Sequence, residues 1–215
     1  AKKCSISQHR KSGSSQAMNS EAQGKGSTFP LFQVCSTNIS GCLEIRPRIH
    51  EDQRGRLIKV FQHEAFSELG LCTNFTEDFY SVSRRGVIRG LHFQAPPADH
   101  IKLVYCLEGR IQDAVVDLRR SSPTFGQHAL VELSAEAGNM LYIPRGLAHG
   151  FCTLSETAIV AYKTSKSHSP EHDQGILWNS AGIQWLETAP EISDRDRALP
   201  PLSALQSPFT WDAEA

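Results

Sequence analysis

The stretch Gly86 to Gln94, GVIRGLHFQ, sets Arg89, His92 and Gln94 among Val87, Ile88, Leu91 and Phe93. The apolar residues have the weight of a buried strand, so the three polar side chains enter a largely apolar interior. Burying such groups costs free energy unless each finds a partner, which marks the segment as a candidate site. An imidazole changes charge near neutral pH, so His92 suits proton abstraction, although a lone strand histidine more often is a core residue satisfied by hydrogen bonds. Two further side chains could join it. Lys102 is embedded in IKLV, where desolvation raises the electrostatic leverage of an ammonium, and Tyr162 in TAIVAYK is a phenol that could deliver a proton or simply line a barrel.

These groups need a scaffold, and the punctuation of the chain supplies one. From about residue 42, short β-prone runs alternate with turn residues: CLEIRPRI, RLIKVF, FYSVS, GVIRGLHF, IKLVYCL, RIQDAVVDL, HALVELS, NMLYIP, HGFCTL and TAIVAYK. Many strands at short spacing, with a Glu108-Gly109 turn between two of them, predict an all-β barrel or jelly roll carrying a few short helices. HEAFSELG, closed by Gly70, is the one clear helix. Residues 31–215 read as a single domain. After Lys163 the strand rhythm stops and Pro170, Pro190, Pro200 and Pro201 punctuate a polar segment that should wrap back over the barrel. Residues 1–30, rich in Ser, Gly, Gln and Lys, lack periodic apolar positions and are expected to form a disordered extension.

Composition excludes several classes. The net charge is -1 over 215 residues, which gives no electrostatic signature for nucleic acid or an acidic membrane. No run approaches the roughly 20 apolar residues that cross a bilayer, and the basic N-terminal residues lack the apolar centre of a secretory signal. The six cysteines are scattered with no CxxC pair, and several sit in apolar runs such as VYC and GFC. That usage suits reduced, buried thiols and a cytoplasmic location better than a disulfide frame or zinc site.

The runs beginning at Gly86, His100, Asp113 and Tyr142 together resemble the dTDP-4-dehydrorhamnose 3,5-epimerases, nucleotide-sugar epimerases built on a cupin-type jelly roll, from about Cys42 to about Leu202. The resemblance implies an isomerase that inverts C3, C5 or both of a nucleotide-linked 4-keto-6-deoxy hexose. It needs no cofactor and no metal, and its partner is the nucleotide-diphosphate 4-keto sugar, in deoxysugar and polysaccharide biosynthesis. It makes His92 the base, Tyr162 the acid on the opposite face of the sugar, and Asp196, in the ISDRD segment, the carboxylate behind His92. Lys102 then lies near the keto oxygen. Arg54 and Arg89 match pyrophosphate ligands, Arg195 replaces a lysine, and Gln94, His149 and Asp173 match further substrate positions. Asp113 and Arg119 match as well, or form a structural ion pair. The family also implies a homodimer with exchanged N-terminal strands, bringing Arg54 or its neighbours to a partner's site.

Four positions around the nucleobase depart from the pattern: Lys59, Glu77, Phe79 and His168. They exchange carboxylate, amide and aromatic groups, so the base recognised is open and could be thymine, cytosine, guanine or uracil. Two other classes remain. Gly138 to His149 fits the second cupin motif, which would suit a metal-dependent dioxygenase, but Gln94 stands where a metal site would carry a ligand. A non-catalytic sugar-binding cupin is the other.

Overall fold

The structure, a computed structural model, describes residues 30–212. The extension expected over residues 1–30 lies outside this range but for Pro30. The strands are β1 (Phe32–Ser36), β2 (Leu43–Pro47), β3 (Ile49–Asp52), β4 (Gly55–Ile58), β5 (Glu77–Arg84), β6 (Ile88–Gln94), β7 (Lys102–Glu108), β8 (Arg110–Asp117), β9 (His128–Ser134), β10 (Met140–Ile143), β11 (Leu147–Thr153), β12 (Thr157–Thr164) and β13 (Asp173–Gly175). Helix α1 spans His63–Glu68 and α2 spans Asp194–Arg197.

Two antiparallel sheets face each other. One runs β1-β2-β10-β7-β12-β5, the other β13-β6-β11-β8-β9, and β3 with β4 forms a separate hairpin. The Glu108-Gly109 turn, with Gly109 at φ 74, therefore carries the chain from one sheet to the other rather than closing a hairpin.

Side-chain alternation fills three layers. Ile111 and Val115 of β8 point between the sheets, where they meet Val104, Leu141, Phe151, Val160 and Tyr162. Ala114 and Val116, on the other face of the same strand, pack with Leu91, Ile176, Ile183 and Phe209 of the wrapping C-terminal segment. A strand covered on both faces loses its alternating polarity, which is why RIQDAVVDL reads as a nearly continuous buried run. The third layer lies outside the first sheet, where Phe66 of α1 sits edge-on to Phe32 and Phe61. Gly70, at φ 69, ends α1 with the Leu71 N–H donating to the Phe66 carbonyl and its own N–H to Ser67, a left-handed cap that glycine adopts without a Cβ clash.

Three expectations need correction at the N-terminal side. CLEIRPRI is two strands in different sheets, β2 ending at Pro47 and β3 starting at Ile49. RLIKVF keeps only its first half as strand, since Val60 and Phe61 turn out to pack under α1. Strand β1, before the region read as β, pairs with β2 over its full length.

Candidate active site

A regular strand points residues three apart to opposite faces. Arg89 and His92 nevertheless share one cavity, because β6 carries an extra residue: His149 of β11 pairs with His92, while Phe151, two residues on, pairs with Arg89, three residues back. The parity flips at Gly90. A Cβ there would lie 2.6 Å from Gly150 Cα and 2.8 Å from the His149 carbonyl, and Gly90 has φ 124, so only glycine fits the bulge. Gly150 is restricted from the other side, since its Cβ would come within 2.6 Å of the Arg89 carbonyl.

The cavity, of about 300 Å³, lies between the sheets and is lined by Phe79, Ser81, Arg89, His92, Lys102, His149, Phe151, Tyr162, Ser193, Arg195 and Asp196. His92 Nε2 is 2.7 Å from Asp196 Oδ1. The second oxygen of Asp196 accepts from the Gly90 N–H at 3.1 Å, so the bulge also holds the carboxylate. Asp196 stands on α2, whose first turn is fixed by Ser193: its side-chain oxygen accepts from the Asp196 N–H at 3.1 Å. Burial alone would raise the Asp196 pKa, but the hydrogen bond and charge of His92, the Gly90 N–H and Arg195 outweigh it and hold the carboxyl below its ordinary value.

Tyr162 and Lys102 come from the opposite sheet. Tyr162 is buried, and its oxygen lies 3.2 Å from Ser81 Oγ. Phe79 stacks on its ring, centroids 4.7 Å apart and planes at 13°. Burial pushes the phenol pKa up, further than the Ser81 hydrogen bond pulls it down. Burial also lowers Lys102 to about 8, against the upward pull of Asp173 and Asp113. An imidazole backed by carboxylate, a phenol and a desolvated ammonium around one space can take a proton from carbon, return one, and offset charge on the oxygen in between.

The rim of the cavity gathers most of the other expected positions. Arg89 Nε donates to Ser83 Oγ at 2.9 Å. Arg195 donates to Asp173 at 2.6 Å, His168 Nε2 lies 3.3 Å from the same carboxylate, and Glu77 accepts from the His168 N–H at 2.8 Å. His149 lines the cavity with Nε2 held 2.9 Å from Asp113.

Three positions fall elsewhere. Both ends of the Gln94 amide are taken by the Ser169 backbone, at 3.0 and 3.1 Å, so Gln94 ties down a loop and does not line the cavity. Arg54 and Lys59 lie on or just after the β3–β4 hairpin, over a separate groove of about 690 Å³, with Arg54 paired to Asp52. Asp113 and Arg119 do not pair with each other: Arg119 grips Asp117 with two hydrogen bonds of 2.8 Å. Among the described residues no group of three or more His, Cys, Asp or Glu stands close enough to hold a metal ion. Sequence reasoning missed Ser81, Ser83 and Ser193 as neighbours of the site; the alternate spacing of the first two in YSVS was the available signal.

A cupin-type double-sheet barrel with a carboxylate-backed histidine, a tyrosine and a lysine around one cavity defines a proton-transfer class of site. Residues 36–204 match the family model for dTDP-4-dehydrorhamnose 3,5-epimerase. The chain is 43% identical to the enzyme of that name from Shigella flexneri over 77% of this chain and 93% of that one, and 45% identical to its Pseudomonas aeruginosa counterpart over 74% and 90%. A Legionella pneumophila 3,5-epimerase solved with dTDP-4-keto-L-rhamnose superposes with a TM-score of 0.81 at 35% identity, covering 85% of this chain and all of the other. A 3'-monoepimerase from Streptomyces bikiniensis, solved with dTDP-quinovose, gives 0.74 at 33% identity, covering 77% and 86%. The chain belongs to the dTDP-4-dehydrorhamnose 3,5-epimerase family, a family of isomerases.

Proposed function

We propose that this protein epimerises a carbon next to the ketone of a nucleotide-linked 4-keto-6-deoxy hexose, as its relatives' names state for them. The observation that carries the reading is that His92 and Tyr162, from opposite sheets, line one cavity together with Asp196 and Lys102. With Nε2 engaged by Asp196, the Nδ1 of His92 is left to take the proton from the α-carbon. The electron pair moves to the C4 oxygen, where the Lys102 ammonium offsets the charge. Tyr162 then gives its proton to the other face of the carbon, and the proton on His92 leaves to solvent. The scheme uses no cofactor. Asp196 is a positioning residue that fixes the tautomer and stabilises the imidazolium.

Arg89 and Arg195 at the rim suit the two phosphates, since guanidinium forks match phosphate oxygens. Arg54 and Lys59 on the hairpin complete that set by reaching the cavity of a second copy, in a homodimer with exchanged N-terminal strands. Residues 31–215 act as one domain. Among the described residues no helix is long and apolar enough to cross a membrane. Among the described residues Cys35, Cys42, Cys72, Cys106 and Cys152 form no disulfide, which supports a reducing, cytoplasmic setting.

The test is a binding screen of dTDP, UDP, CDP and GDP, followed by NMR of the matching 4-keto sugars in heavy water. The expected result is dTDP binding with deuterium entering C3, C5 or both as the epimer appears. Binding without any exchange would overturn the proposal in favour of a sugar-binding barrel.

A further inference from the structure

Strand β5 presents Phe79, Ser81 and Ser83 at alternate positions, the spacing that shares one face of a sheet. All three act on the candidate site. Phe79 is the register partner of Tyr162 and covers one face of its ring. Ser83 is buried and accepts from Arg89. His149 meets the Tyr162 ring edge-on with centroids 6.2 Å apart. Enclosed in this way, the phenol oxygen has one hydrogen-bond partner among the described residues, Ser81 Oγ at 3.2 Å. Both residues line the cavity, but Ser81 is half-buried whereas Tyr162 is only 8% exposed. A tyrosine that gives up a proton in each turnover must recover one, and its own contact with water is slight.

We infer that Ser81 is a positioning and relay residue for Tyr162, turning the phenol O–H into the cavity and returning a solvent proton to the tyrosinate. The inference rests on the proton-transfer reading of the site. As the new C–H bond forms, the Tyr162 O–H bond breaks and its electrons stay on the phenol oxygen. The Ser81 O–H then passes its proton to that oxygen while Ser81 takes one from water. The hydroxide left behind meets the proton that His92 releases, so each turnover leaves both residues as they began. With Ser81 as donor in their hydrogen bond, the phenol hydrogen is free to face the substrate; with a threonine the same hydroxyl is retained.

The test follows a dTDP-linked 4-keto-6-deoxy hexose in heavy water with the full chain, measuring epimer formation and deuterium in the sugar that has not epimerised. In Ser81→Ala, kcat for epimer formation should fall about tenfold or more with KM within about threefold, the pattern of a group acting in the proton-transfer step. Exchange on the His92 side should persist, so the ratio of exchange to epimerisation rises. Ser81→Thr should restore the wild-type ratio. Ser81→Val, which has the shape of threonine without its hydroxyl and suits a strand, should behave as Ser81→Ala and serves if alanine impairs folding. In a Tyr162→Phe background, Ser81→Ala should add no further loss, because both changes remove one function. A wild-type ratio in Ser81→Ala, or fully additive losses in the double variant, would overturn the relay. Absence of exchange in the wild-type protein would overturn the proton-transfer reading instead.

Discussion

Two His–Asp pairs lie on neighbouring strands of one sheet, His92 directly opposite His149 in register, yet their surroundings differ. The His92 ring is 27% exposed and Asp196 arrives from the wrapping segment, where Gly90, Ser193 and Arg195 support it. The His149 ring is 5% exposed and Asp113 not at all; burial raises the Asp113 pKa, and its Oδ1 has no hydrogen-bond partner among the described residues. One carboxylate is thus kept anionic behind an accessible imidazole, and the other is enclosed with its imidazole in the barrel. The same pair of residue types gives an accessible imidazole in one place and, in the other, a nearly buried one that meets the cavity from its wall. Solvent access and the number of supporting donors make the difference.

The largest effect should come from His92→Ala, lowering kcat by about 10³-fold, within the range general bases contribute, while the stability loss stays below that of His149→Ala because Asp196 keeps the Gly90 N–H. His149→Ala should reverse the emphasis: it strands Asp113 in the barrel, so a loss of about 3 kcal/mol in chemical denaturation is expected. Equal stability losses for the two variants would show that the two pairs support the fold alike. Asp196→Asn should reduce kcat by about 100-fold with nucleotide affinity retained, measured by steady-state kinetics and calorimetry, because an amide cannot stabilise the imidazolium. A smaller effect is the alkaline limb of the rate profile. Lys102 is cationic below about 8 and neutral above, so kcat should fall as pH rises through that value, and Lys102→Arg should move the limb upward.

The smallest effect concerns acid stability. The carboxyls of Asp196 and Asp117 are held below their ordinary value in the folded chain, although burial alone would raise both. Their contribution is therefore present above the unfolded carboxylate value and is lost as pH falls through the folded one, so unfolding should ease below about pH 4. Asp196→Asn should flatten that pH dependence in thermal melts; an unchanged slope would show that His92 and Gly90 add little to the fold.

Local sequence pattern carries much of the architecture. The short runs ending in turn residues give most of the strands, Gly70 ends the helix where expected, and His92, Tyr162, Lys102 and Asp196 converge as the motifs imply. What escaped has a common cause, since it depends on a partner far along the chain. Gly90 looks like an ordinary strand glycine until Gly150 is placed against it. Gln94 looks like a ligand group until the Ser169 backbone claims both ends of its amide. Asp113 could have paired with Arg119, but Arg119 instead finds Asp117 two residues away, and His149 takes Asp113 from the neighbouring strand. Arg54 and Lys59 match a ligand pattern that one chain does not assemble, because their hairpin stands outside both sheets.

In the proposed reaction a base and an acid address opposite faces of one carbon. Incubating Tyr162→Phe with the 4-keto sugar in heavy water, and determining by NMR both the deuterium content and the configuration of the recovered sugar, tests it most directly. Deuterium at the reacting carbon with the original configuration kept is expected, since His92 alone can remove and return the hydrogen only on its own face. Recovered sugar free of deuterium, or inverted at the wild-type rate, would contradict it.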